Sequence, residues 1–146
     1  VTTAAFDPAK GTIREIQSLP IDTGYKPGQQ TEGSEVRVDH TGRFVYTSTH
    51  GVDATLKSVP LDGTINVFAV NPRTHKLKQI QNITTGGAQP RTFVLDPSGK
   101  FLLVGNENSG NVTEFAVDQK TGRLSPTGKV VTGIPEPSAF LFDAEK

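Results

Sequence analysis

Two residues of opposite charge, Glu35 and Arg37, lie two positions apart within a short segment of strand-forming residues. Side chains two positions apart on a β-strand share one face, so the carboxylate and the guanidinium are expected to lie side by side. In such a pair the carboxylate can activate a water molecule, and the guanidinium can hold a carboxylate or phosphate through two hydrogen bonds. A structural ion pair between two sheets has the same spacing, and on the residues alone both interpretations stay open.

Arg91 ends the loop sequence GAQPR and begins the next apolar run. At the entry to a strand it can bind an anionic substrate group or a developing oxyanion, or it can cap loop carbonyls. Of the three histidines, His50 can serve as a general acid or base, although nothing in the sequence pairs with it. His40 and His75 fall in turns, where we expect structural or solvated roles. Three scattered histidines offer no metal-ligand spacing.

The elements that must position these residues are short strands joined by tight turns. Residues 89–133 contain four apolar or alternating segments, at 91–96, 101–105, 111–118 and 124–132. The Asp-Pro-Ser-Gly sequence between the first two has the residue types that a type I turn prefers. Four antiparallel strands in about 45 residues form a meander, the unit from which β-propellers are built.

The same pattern recurs along the chain. VRVDHTGRF at residues 36–44 matches FVLDPSGKF at 93–101, and INVFAVNPRTHKL at 65–77 matches VTEFAVDQKTGRL at 112–124. VTTAAFDPAKGTI at residues 1–13 matches the second pair again. Four strands in each repeat of roughly 50 residues predict propeller blades, because one blade cannot bury both of its faces alone.

The predicted fold class is all-β, with blades of four antiparallel strands. We expect residues 1–20 to end one blade, 33–87 and 88–133 to form two full blades, and 138–142 to be the first strand of a closing blade. If the first strand of each blade runs downward, the short turns that resemble one another lie at the bottom. The irregular loops at 21–33 and 51–63 then lie at the top, beside the start of every inner strand. Because binding residues concentrate on variable loops, the top is the candidate site, with Glu35 and Arg37 near the top end of their strand.

Composition excludes several classes of function. The net charge is zero and no basic block occurs, so nucleic acid is not an expected partner. No apolar segment approaches the roughly 18 residues of a membrane span, and no membrane partner is expected. The chain has no cysteine, and it carries no P-loop, dinucleotide fingerprint or nucleophile elbow. We expect neither a cofactor nor a metal.

Four segments resemble the lactonase family of seven-bladed propellers, which includes bacterial 6-phosphogluconolactonases and fungal carboxy-cis,cis-muconate cyclases. They are SEVRVDHTGRFVY, GTINVFAVNP, TTGGAQPRTFVLDPSGKFLLVGNENSGNVTEFAVDQKTGRLSPTG and PEPSAFLF. The resemblance implies hydrolysis of an anionic sugar lactone such as 6-phosphogluconolactone, with lactone-forming muconate cyclisation as the alternative. It favours catalytic roles for Glu35, Arg37 and Arg91, and substrate binding by His50 and Asn106.

The chain also departs from this family. It carries Thr49-His50 where members often have Asn-Arg, and Gly105-Asn106-Glu107 where Ala-Asn-Gln is common. These departures leave the substrate open, and so they leave open a propeller that only binds partners across its top.

The chain resembles the C-terminal portion of such a propeller. A seven-bladed ring needs about 28 strands at four per blade, whereas 2 + 4 + 4 + 1 strands, 11 in all, are predicted here. We therefore expect a fragment that is inactive alone, with missing blades or a second chain packed on its open ends. The resemblance implies the cytoplasm, while the sequons at Asn82 and Asn111 leave secretion open.

Overall fold

A computed structural model describes residues 1–21, 24, 26, 29–53, 55 and 61–143 of the chain. The regular structure of these residues consists of ten β-strands: β1 Thr2–Asp7, β2 Thr12–Ser18, β3 Gln30–Val38, β4 Phe44–Val52, β5 Asp62–Val70, β6 Leu77–Ala88, β7 Pro90–Leu95, β8 Phe101–Asn106, β9 Asn111–Val117 and β10 Leu124–Thr132. Within the described ranges, no helix has the length and apolar character needed to cross a membrane.

The strands form three antiparallel sheets that follow the order of the chain. β1 and β2 form a two-stranded sheet, β3 to β6 a four-stranded sheet, and β7 to β10 another. Every neighbouring pair is antiparallel, and β5 and β9 lie in different sheets. The predicted all-β fold with four-stranded meander blades is therefore confirmed. The strands β3 and β7, the first of each full blade, lie next to each other.

Two kinds of turn repeat along the bottom of the blades. Asp96 accepts hydrogen bonds from the backbone N–H groups of Ser98 and Phe101, and Asp39 accepts the equivalent bonds in the preceding blade. In the second kind, Asp118 accepts hydrogen bonds from the backbone N–H groups of Lys120 and Thr121, and the turn ends on a residue of positive φ. That residue is Gly122 (φ 71°) in one copy and His75 (φ 55°) in another. The alignment of His75 with a turn glycine thus reflects a shared backbone conformation.

Apolar side chains on both faces of the middle sheet form the core. Toward the third sheet, Phe44 and Tyr46 pack with Phe93 and Phe115 in a cluster of fully or nearly fully buried residues. On the opposite face, Phe68 and its neighbours pack toward the first sheet. Successive side chains of a strand point to opposite faces of the sheet. A sheet with apolar residues at both odd and even positions must therefore have a neighbour on each side.

Glutamine side chains join adjacent sheets at equivalent positions. Gln81 donates from Nε2 to the carbonyl of Leu124 and accepts from the Leu124 N–H at Oε1, both at 2.8 Å. Gln17 makes the same pair of bonds to Leu77, at 3.3 and 2.7 Å. In each case the side-chain amide bonds a backbone edge as a neighbouring peptide group would. We call each Gln–Leu pair an inter-blade clamp.

β3 is longer than its sequence predicts, and this changes the position of two candidate residues. The strand begins at Gln30, because residues 30–33 pair with the end of β4. Glu35 and Arg37 are therefore the sixth and eighth of nine residues, in the lower half of the strand. Their predicted place near the top end is wrong, since the polar segment before residue 34 gave no sign of extended pairing.

The predicted eleventh strand, residues 138–142, pairs with no strand of the described chain. A β-strand is defined by its hydrogen-bonded neighbours, and this segment has none here. It follows a close packing of Pro137 against Gly105 of β8. Its place in a closing blade remains a prediction. Eleven positions of the predicted top loops fall outside the described residues, namely 22, 23, 25, 27, 28, 54 and 56–60.

Candidate active site

Polar side chains from four strand ends collect at the top of the two full blades. Glu32 lies near the start of β3, directly opposite His50 near the end of β4. Arg91 is the second residue of β7, and Glu107 follows the last residue of β8. Glu32, Arg91 and Glu107 all lie close enough to His50 to act on its pKa. We call these four residues the top cluster.

His50 is almost fully buried, with 6% of its surface exposed. Its Nδ1 lies 3.2 Å from Ser34 Oγ, and its Nε2 lies 3.9 Å from Glu32 Oε2. Burial lowers the pKa of His50; Glu32 and Glu107 act to raise that pKa, Arg91 acts to lower it further, and the net shift is downward. The imidazole is therefore neutral at neutral pH and able to accept a proton.

A β-bulge in β3 places Ser34 beside this histidine. The β3–β4 register shifts between Gly33 and Val36, so that Ser34 and Glu35 together lie opposite Ser48. Ser48 Oγ accepts a hydrogen bond from the Glu35 backbone N–H at 3.1 Å. Bulges re-aim side chains next to functional sites, and this one directs the Ser34 hydroxyl to His50.

The backbone before Arg91 has an unusual conformation. Gln89 has a φ of 55°, which is costly for a residue with a Cβ. The Glu107 N–H donates to the Gln89 carbonyl at 2.8 Å and ties this loop to the end of β8. Pro90 packs so closely on Gly63 of the preceding blade that a Cβ there would overlap its ring. These contacts position Arg91, whose exposed guanidinium has no hydrogen bond or ion pair with any described residue.

Glu35 and Arg37 form the ion pair that their spacing predicts. Arg37 Nη2 lies 3.2 Å from Glu35 Oε2, and Glu35 Oε1 accepts the Val36 N–H. Both carboxylate oxygens are thus already hydrogen-bonded. Arg37 lines a cavity of about 300 Å³ together with His40 and Asp96 of two bottom turns. The pair therefore lies nearer the bottom of the blade than the top cluster does.

Asn106 is fully buried between the blades. Its Nδ2 donates to Asn111 Oδ1 at 2.9 Å and approaches Thr113 Oγ1 at 3.4 Å. Asn111 and Thr113 in turn bond the carbonyls of Gly86 and Thr85 in the preceding blade. This network gives Asn106 a structural task at a blade interface. Its role in substrate binding remains a prediction, and its complete burial argues against that role.

The structure thus brings together Arg91 and His50, two predicted residues, with Glu32 and Glu107, which were not predicted. Glu107 follows a strand end at the top, a position that could have marked it. Glu32 gave no signal, because its pairing with His50 depends on the extended start of β3. The described residues contain no group of three or more His, Asp or Glu side chains arranged to hold a metal ion.

Meander blades that pack face to face, with polar residues gathered at one end of the inner strands, define a β-propeller. The chain belongs to the family described as "Lactonase, 7-bladed beta-propeller", whose sequence profile matches residues 1–142. It is 35% identical over 109 residues to the 6-phosphogluconolactonase of Bacillus subtilis (strain 168), covering 73% of this chain and 27% of that protein.

Solved structures agree with this assignment. A protein from Lactobacillus plantarum superposes with a TM-score of 0.74 at 30% identity, covering 92% of this chain and 36% of that one. The periplasmic gluconolactonase PpgL of Pseudomonas aeruginosa superposes with a TM-score of 0.77 at 26% identity, covering 94% and 35%. The chain therefore spans about a quarter to a third of the length of the proteins that it matches.

Proposed function

We propose that the complete protein hydrolyses a sugar lactone of the 6-phosphogluconolactone type, and that the top cluster contributes to its active site. The observation that carries this proposal is the guanidinium of Arg91, which no described residue binds, near the neutral imidazole of His50. The relatives named 6-phosphogluconolactonase and gluconolactonase support the same reaction.

In the proposed reaction, water attacks the lactone carbonyl while His50 accepts a proton from that water. Arg91 stabilises the negative charge that develops on the carbonyl oxygen. The ring C–O bond then breaks, and the leaving oxygen takes the proton from His50 to give the open hydroxy acid. Lactone and water are consumed, and no other reactant is needed.

Glu35 was the carboxylate predicted to activate water, and geometry favours His50 instead. Both oxygens of Glu35 accept hydrogen bonds within β3, from Val36 and Arg37. Neither oxygen is therefore left without a donor to accept the proton of an attacking water. Arg37 is half exposed and can still contact an acid group of the substrate, as the resemblance implies.

The test compares variants of the complete protein by pH-stat on glucono-δ-lactone and 6-phosphogluconolactone. Arg91→Ala is expected to lower kcat by about 100-fold or more, as removal of an oxyanion donor does. His50→Gln should lower kcat more than Glu35→Gln, whereas His40→Gln, a bottom-turn control, should leave it unchanged. A wild-type protein with no rate on any lactone or muconate would instead be a binding module.

We also propose that further propeller strands pack against the first sheet. Phe6 and Ile13 form a cross-strand pair that is 63% and 74% exposed, and Val36 and Val38 of β3 are exposed as well. Apolar groups in such numbers on adjoining surfaces indicate a partner. Light scattering should find residues 1–146 associated and the complete protein less so. A stable monomer of residues 1–146 would contradict this.

A further inference from the structure

Glu107 carries a buried oxygen that the described protein leaves without a hydrogen-bond donor. The residue is half-buried, and its Oε2 is inaccessible to solvent and reached by no donor of the described chain. Its backbone N–H is already bonded to Gln89, which fixes the residue beside the start of β7. An acceptor buried in this way is costly unless a ligand supplies the missing donor.

The neighbours of Glu107 restrict what that donor can be. Arg91 and Glu107 have opposite charges, and both lie close enough to His50 to shift its pKa, Arg91 downward and Glu107 upward. A cationic ligand group at Glu107 would be repelled by the free guanidinium of Arg91. A metal ion is also disfavoured, because no three acidic or histidine side chains among the described residues are arranged to hold one. A neutral hydroxyl group meets both conditions.

Arg91 and Glu107 together match one kind of ligand. Arg91 offers donors that no described residue accepts, and these suit a carbonyl or carboxylate oxygen. Glu107 offers an unpaired acceptor, which suits a hydroxyl. A molecule that carries a carbonyl and hydroxyl groups on one ring satisfies the two residues at once, whereas a lactone without hydroxyls would leave Glu107 unpaired.

We propose that Glu107 binds a hydroxyl group of the substrate and makes the site selective for polyhydroxylated lactones over plain ones. This inference rests on the proposed lactonase function and adds a residue that neither the sequence pattern nor the resemblance assigned. A site built to bind a substrate hydroxyl discriminates strongly against an analogue that lacks it.

The test measures kcat/KM of the complete protein at pH 7.5 on glucono-δ-lactone and on δ-valerolactone, which has the same ring without hydroxyls. Glu107→Ala should lower the ratio of the two values by about 10- to 100-fold, the range for a hydrogen bond to a charged group. Glu107→Gln, which keeps an acceptor, should lose less. Asn108→Ala, the exposed neighbour in the same loop, should leave the ratio unchanged.

Binding measurements separate this inference from the proposed function. Calorimetric titration with gluconate and with hexanoate requires no turnover, so it gives a result even if no lactone is hydrolysed. The wild type should prefer gluconate, and Glu107→Ala should abolish that preference. If hydrolysis occurs but the ratio is the same in wild type and Glu107→Ala, the inference is overturned and the proposed function stands. If gluconate and hexanoate bind equally to the wild type, the inference is overturned as well.

Discussion

The inter-blade clamp of Gln81 gives the sharpest prediction about stability. Replacement of Gln81 by Ala removes two hydrogen bonds, each of 2.8 Å, and leaves the N–H and C=O of Leu124 without partners. Leu124 is only 2% exposed, so water has little access to compensate. Each lost hydrogen bond costs about 1 kcal/mol, and each buried group left unpaired costs about 1–3 kcal/mol. The two costs overlap, because the second includes part of the first. We therefore expect a total loss of about 2–4 kcal/mol in the free energy of unfolding.

Urea unfolding followed by circular dichroism measures this loss. With a slope of roughly 2 kcal/mol per molar urea, the midpoint should fall by about 1–2 M at unchanged slope. Gln81→Met keeps a side chain of similar length but forms neither bond, so it should lose nearly as much and exclude packing as the cause. Gln30→Ala, at an exposed position of β3, is the control. A midpoint within about 0.3 M of wild type for Gln81→Met would refute the clamp as a stabilising device.

Three further predictions follow from named residues. His75→Gly should stabilise the protein by about 0.5–1 kcal/mol in urea unfolding, because it relieves a positive φ in an exposed turn. Gly122→Ala should destabilise the protein, since a Cβ at this position would overlap the Phe44 ring. If the two variants had the same urea midpoint, this argument would be contradicted. The pKa of His50 is lowered by burial, so the unfolded state binds more protons below about pH 6.5, and stability should fall as pH drops through the lower folded pKa. His50→Gln should remove this dependence, seen in midpoints between pH 7 and 5. When the protein is expressed in a secretory host, mass spectrometry should find no glycan on Asn82 or Asn111. The Nδ2 atoms of both side chains donate hydrogen bonds in the fold, to Asn66 and to the carbonyl of Gly86. Glycans on the folded protein would show that these hydrogen bonds do not protect the two sites.

The fold could be predicted from the sequence because its signals are local and repeated. The aspartate turns at residues 39 and 96 specify strand reversals, and the matching of residues 65–77 with 112–124 indicates two copies of one blade. Each copy carries its own alternation of apolar residues, so strand limits agree with the structure to within a few positions. β10, the weakest pattern, nevertheless has the predicted bounds Leu124–Thr132.

The site was only partly predictable, because its geometry depends on pairing rather than on local pattern. Residues 30–33 are polar and show no alternation, and they become strand because β4 continues beside them. The bulge that directs Ser34 to His50 is likewise a property of two strands together. Arg91 was recognisable from its place at a strand entry. Glu107 had only its place after a strand end to mark it, since its buried oxygen without a partner appears only in three dimensions.

The clamp also has an evolutionary consequence. The middle blade carries both halves of the joint, since the backbone of Leu77 binds Gln17 of the blade before it while Gln81 binds the backbone of Leu124 in the blade after it. A duplicated blade gene would therefore encode a module that fits between any two others without new complementary mutations. At residue 128, which lies 47 positions after Gln81, the chain has Gly instead. The last described blade therefore carries the receiving backbone edge of Leu124 but no glutamine at the position that would reach forward.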